Sequence, residues 1–241
     1  MARLTLLGVG AMSSPRYAPA GLLVEQGTDR VMIDGGPGAA PAGRLSAWLV
    51  TDIRAELIRE IRALAWRHRL EPEVETYLGQ QGLAVIPRAV RHTSHPTFGY
   101  AITIEGKRVA WLPEFFEFPD WADGFDLVFA DAAGYDRPIR FARRAGGHAC
   151  VLDVSLQARE RGVRRLVFAH IGRPTIRAMD ARRRPEFGEF GHDGQVFIVT
   201  RAGIRLASPT DLSQRRRELE RIHGAFLTDQ QRMRRRNVTP A

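Results

Sequence analysis

Cysteine is almost missing from this chain of 241 residues: the single Cys150 excludes an intrachain disulfide and any multi-cysteine zinc cluster. A metal, if bound, must be held by histidines and carboxylates. Long apolar runs are missing too, none approaching the ~20 residues that cross a bilayer. The opening MARLTLLGVGAM has too short an apolar stretch for a secretory signal and no clear small-residue cleavage site. A cytoplasmic protein without a membrane segment is expected. Acidic residues are in short supply, 27 against 36 basic ones, for a formal net charge of +9. That balance permits anionic partners. Because the basic excess is almost all arginine, as GC-rich coding imposes, it favours a small anionic substrate or ligand over nucleic acid. What the chain does have is apolar content: 44% hydrophobic residues suit one large domain, or a compact domain with a tail.

Apolar patterning predicts an order of elements. RLTLLG (3–8) reads as a strand ending at glycine, and GLLVEQGTDRVMIDGG (21–36) as a hairpin turning at Gly27, Thr28 and Asp29. LSAWLV (45–50) is a short buried strand. Ile53, Leu57, Ile61, Leu64 and Ala65 then recur at helical spacing, which predicts a core-facing helix from Ile53 with Thr51 or Asp52 as its cap. A strand over 80–91, a hairpin over 100–114 turning at Glu105–Lys107, a strand at FDLVFADAAG, a helix at VLDVSLQARERG and a strand at VRRLVFAH follow. Hairpins first and strand–helix alternation afterwards imply sheets with helices packed outside. The stretch 173–199 reads equally as a lid or as a solvated loop.

Composition shifts near Asp211. Leu212, Leu219, Phe226 and Met233 recur every seven residues with Ile222 on the same face, beside eight arginines and four acids. Two domains are expected: 1–208, and a basic C-terminal helix over 209–241 that docks on its own domain or forms a homodimer. Gly224 weakens that helix by ~1 kcal/mol.

Several segments together resemble the metallo-β-lactamase fold, in the branch of ribonuclease Z and small phosphodiesterases. They are LTLLGVGAMSSPRYAPAGLLVE with VMIDGGPGA, HTSHPTFGYAITIEGKRVAWLPE, and GGHACVLDVSLQARERGVRRLVFAHIG, in the right order over residues 3–172. The resemblance implies an αββα sandwich with its site at the strand ends along one edge. It also implies a hydrolase that holds metal through a Thr-His-x-His-x-Asp-His motif, whose ligands activate a water and polarise a substrate oxygen.

At the motif's position this chain carries Thr51, Asp52, Ile53, Arg54, Ala55, Glu56 and Leu57, without the histidines. The bridging acid maps onto Glu114 and the later histidines onto His148 and His170. A guanidinium ~5 Å from a divalent ion would cost on the order of 7 kcal/mol even at an effective dielectric of ~20. Two readings follow. In the first, Asp52, Glu114, His148 and His170 hold one zinc, manganese or iron ion and Glu56, with Asp52, serves catalysis. In the second, no metal is bound and Arg54 replaces it, paired with Asp52, Glu56 and Glu114 in a module that binds an anionic ligand, nucleic acid or a protein. Arg16, Arg54, His92 and His95 are the candidate substrate contacts.

Overall fold

A computed structural model describes residues 2–141 and 146–213. The expected C-terminal helix lies, beyond its first five positions, outside the described residues. One compact unit ends at Arg205. After it, Ser208 and Asp211 cap one another reciprocally, Asp211 Oδ2 accepting from the Ser208 N–H at 2.7 Å and Ser208 Oγ accepting from the Asp211 N–H at 3.2 Å.

The first sheet contains β1 (Ala2–Gly8), β2 (Gly21–Gln26), β3 (Asp29–Asp34), β4 (Ala47–Leu49), β14 (Val196–Val199) and β15 (Ile204–Leu206), in the order β15-β14-β1-β2-β3-β4. The second contains β5 (Tyr77–Leu78), β6 (Ala84–Val90), β7 (Thr97–Ile104), β8 (Lys107–Leu112), β9 (Leu127–Ala132), β12 (Leu166–Ile171) and β13 (Glu189–Phe190), in the order β13-β12-β9-β8-β7-β6-β5. β10 (Ile139–Arg140) and β11 (Gly147–His148) form a separate ribbon.

Strand alternation sorts side chains into layers. Leu22, Val24, Val31 and Ile33 face the second sheet and pack in one core with Trp111, Phe129 and Phe168, while Leu23, Met32 and Trp48 point to the opposite face. There Ile61 and Ala65 of α1 (Ile58–Trp66) cover them. On the far side α2 (Val151–Glu160) packs on β9 and β12. The result is the expected αββα layering.

Two local expectations change. The helix begins at Ile58, not Ile53, and its N-cap is Leu57 with no side-chain cap. Asp52 instead closes a turn by accepting the Arg54 N–H at 2.7 Å, an Asx-turn that competes with helix formation; Ile53 is left 53% exposed. The stretch 173–199 is neither lid nor loop throughout. It holds α3 (Arg173–Asp180) and β13, and then returns to the first sheet as β14, paired with β1. No helix among the described residues is long and apolar enough to cross a membrane.

Candidate metal centre and active site

Strand ends deliver the polar cluster. Glu114 follows β8, Asp131 is the penultimate residue of β9, His148 ends β11, His170 is in β12, and His92 comes from the loop between β6 and β7. The β12–β9 register shifts between Ala169 and Ile171, and His170 in that bulge has φ +54°. A bulge turns one side chain off the alternation of its strand. Left-handed backbone on a non-glycine residue persists only where surrounding contacts over-determine it. Here those contacts include the Ile171 N–H donating to Val9 O at 2.6 Å and both nitrogens of the His170 ring.

The hydrogen bonds fix the tautomers. His92 Nδ1 lies 2.9 Å from the Gly147 carbonyl; a carbonyl only accepts, so Nδ1 carries the proton and Nε2 stays open, 3.6 Å from Glu114 Oε2. His148 Nδ1 donates to Asp131 Oδ2 at 2.7 Å. His170 Nδ1 faces Asp131 Oδ1 at 3.3 Å and its Nε2 faces Glu114 Oε1 at 3.2 Å. With a carboxylate on each nitrogen, His170 is an imidazolium: burial alone would lower its pKa, but hydrogen bonds to Asp131 and Glu114 and their charges carry it up to about 10. Burial would raise Glu114, yet the hydrogen bond and charge of His170, with His92 and His148 adding, bring it down to about 2. Asp131, equally opposed by burial, is held below the ordinary carboxylate range by His148 and His170. The rings are close: 4.7 Å from His92 to His148 and 5.2 Å from His148 to His170, with Phe141 edge-on to His92 and His148.

Asp34 ties this edge together from below. It ends β3 with φ +54°. Oδ1 accepts from Thr51 N at 2.8 Å and Thr51 Oγ1 at 3.0 Å, and Oδ2 accepts from Trp111 Nε1 at 2.7 Å. Burial pushes its pKa up to about 6 despite those bonds, with Glu114 adding to the rise. Asp34→Ala strands all three donors and is expected to cost ~3 kcal/mol in urea unfolding. Asp34→Asn, whose carbonyl can still serve Thr51, should cost ~1 kcal/mol.

A cavity of ≈70 Å³ opens over these groups, lined by Asp34, Thr51, Glu56, Glu114 and His170 among others. Glu56 is thus brought to the cluster; Asp52 is not. Its Oδ1 closes the turn and its Oδ2 meets His95 Nε2 at 2.8 Å, so the expected place of Asp52 beside Glu114 is taken by His92. Arg54 as a substitute cation is also corrected. It is exposed and lines a different groove, and no ion pair joins it to Asp52, Glu56 or Glu114 among the described residues. The cation beside Glu114 is His170. The Asx-turn accounts for both changes, because it keeps 52–57 out of the helix and turns Arg54 outward. Arg16 pairs with Asp180 at 2.8 Å on the surface. Sequence reasoning missed the centrality of Asp131; its signal was an acid at the end of an apolar strand, in FADAAG.

The cluster has the donor types that hold a divalent ion. Ligating histidines characteristically give their second ring nitrogen to a carboxylate or backbone carbonyl, and His92, His148 and His170 all do so through Nδ1. Donor atoms of Asp131, His148 and His170 lie within 4.8 Å of one another. Imidazoles and carboxylates together are donors that zinc, iron and manganese all accept. The 51–57 turn offers no nitrogen ligand for a second ion.

Two packed sheets with helices outside and a His/carboxylate cluster at the strand ends define the metallo-β-lactamase fold, and this chain has it. A diphosphatase of the PhnP family is similar over 83% of this chain and 98% of its own, at 20% identity and a TM-score of 0.65. The metallo-β-lactamase fold protein YhfI from Bacillus subtilis is similar over 82% and 100%, at 15% identity and 0.63. The short form of human tRNase Z, ELAC1, is similar over 82% and 99%, at 14% identity and 0.58. No family model and no curated protein matches the sequence.

Proposed function

We propose that the chain is a divergent hydrolase that uses one divalent ion on a phosphodiester or another ester. The convergence of His92, His148 and His170 on Glu114, with every Nδ1 committed elsewhere, carries this reading. Similarity in architecture to a diphosphatase and a tRNase Z supports it. His92, Glu114, His148 and His170 would hold the ion, which when bound polarises an ester oxygen and acidifies a water. Asp131 and the Gly147 carbonyl orient the three rings through Nδ1, and His170 would give up its Nε2 proton as the ion binds. Glu56, on the wall of the same cavity, takes the proton that the attacking water gives up. Asp52 acts at one remove, by holding the turn that carries Glu56.

The test is metal content by mass spectrometry on chain purified without chelator, paired with hydrolysis of bis(p-nitrophenyl) phosphate and p-nitrophenyl acetate before and after chelation. About one equivalent of zinc, iron or manganese and chelator-sensitive hydrolysis are expected. Failure to take up any of these ions sinks the reading.

A metal-free reading rests on a separate observation. The His170 imidazolium already supplies a positive charge between Glu114 and Asp131, the part expected of Arg54. The chain would then bind an anionic ligand without turning it over, and chelators would change neither its stability nor its binding.

A further inference from the structure

The turn at Asp52–Leu57 separates two spaces of very different size. On the cluster side, with Glu56 on its wall, lies the ≈70 Å³ cavity. On the other side, with Ile53 and Arg54 on its wall, lies a groove of ≈540 Å³. The first holds an ion with a few waters, or one ester group. Only the second reaches the ~300–1,000 Å³ typical of small-molecule sites. A substrate reacting at Glu114 must therefore keep its body elsewhere, and a groove one residue along the same turn is at hand.

The groove's chemistry narrows the body. Ile53, Pro72, Val74, Pro96 and Phe98 give it apolar walls. Its charges are Arg54, Arg62, Glu71 and Glu73, two of each sign. Arg62 is paired with Glu71 at 3.0 Å; Arg54 and Glu73 make no ion pair among the described residues. His95, which also lines the groove, is fixed through Nε2 by the buried Asp52. A polyanion has no net attraction to a balanced groove. One anionic group on an apolar body does, with Arg54 donating to the anion and Ile53 and Phe98 covering the body.

We infer that the groove between the 52–54 turn and the His95–Phe98 segment binds the apolar, singly anionic body of the substrate, with Arg54 as the anion's partner. That this body belongs to a substrate rests on the hydrolase reading; that the groove binds it does not.

Calorimetric titration of the full chain with naphthalene-2-sulfonate tests the inference, with inorganic sulfate and 2-naphthol as the separated halves of the probe. The sulfonate should bind one per chain and each half at least tenfold more weakly. Arg54→Ala and Ile53→Ser should each weaken the sulfonate about tenfold or more, and Glu73→Gln should strengthen it severalfold. Both weakening substitutions are at exposed positions, so thermal melting should be unchanged and rules out unfolding as their cause. Glu114→Gln should leave binding intact. Unaltered affinity in Arg54→Ala and Ile53→Ser overturns the inference. So does loss of binding confined to Glu114→Gln, which puts the anion in the small cavity and leaves the hydrolase reading standing. Groove binding in a chain that takes up no metal upholds the groove and removes the hydrolase.

Discussion

His170→Ala, melted without added metal, is expected to lose ~3–5 kcal/mol, because removing one partner of a buried charge cluster leaves the others uncompensated. For a domain of this size that is a fall of roughly 6–20 °C in Tm. Glu114 and Asp131 would face one another's charge without the His170 imidazolium between them. The left-handed backbone costs an L-residue ~1–2 kcal/mol and burdens alanine there as it does histidine. His170→Asn separates the two effects: asparagine tolerates φ +54° and can donate to one carboxylate only, so its loss should be intermediate. His192→Ala, at an exposed position, should change stability by less than ~0.5 kcal/mol. A His170→Ala protein as stable as the parent would show that no charged network exists at this edge.

The same cluster sets the pH profile of the metal-free protein, followed by urea unfolding in chelator. His170 is raised from 6.5 to about 10, so its contribution is complete below its unfolded pKa and lost as pH rises through about 10. Glu114 is lowered from 4.5 to about 2, so its contribution is complete above 4.5 and lost as pH falls through about 2. Asp34, raised from 3.8 to about 6, binds its proton more tightly when folded and subtracts stability as pH climbs between those values. Stability should therefore peak at about pH 5, fall steeply in acid, and decline steadily toward pH 10. In His170→Ala the decline above about pH 6.5 should disappear.

How much of this was legible in the sequence follows from the range of the forces involved. The sheets were, because alternation along Gly21–Asp34 or Tyr100–Leu112 is local and a hairpin needs only neighbours in the chain. Glu114, His148 and His170 were placed by ordered resemblance, and the structure brings them together. The 51–57 turn was misread because Ile53, Leu57 and Ile61 keep a helical period, while a single Asp52–Arg54 bond diverts the chain before the helix begins. Asp131 was legible only as an acid at a strand end that could lie near the site, because nothing near it in sequence reveals that it lies between His148, 17 residues on, and His170, 39 residues on. His92 and His95 looked alike, three residues apart in one polar loop, yet one is buried against Glu114 and the other turns out to Asp52. That difference is set by which side of the turn each meets, a tertiary fact.

The divergence between His92 and Asp52 yields the second large effect. Zinc or iron affinity, measured by competition with a chromophoric chelator, should fall at least ~100-fold in His92→Ala, since the lost group supplies an Nε2 ligand rather than an outer hydrogen bond. Asp52→Ala should fall by less than ~3-fold, because its oxygens are spent on the Arg54 amide and on His95. Asp131→Asn should lie between them at ~10–100-fold: its amide nitrogen cannot accept from one of the two Nδ1–H groups, so one imidazole loses its orientation while every ligand atom remains. The order His92, then Asp131, then Asp52 is what distinguishes the geometry from the linear motif, which makes Asp52 a ligand and gives Asp131 no part. If Asp52→Ala were the variant that abolished uptake, the turn would have to open in the metal-bound state, carrying Asp52 away from His95 and toward Glu114.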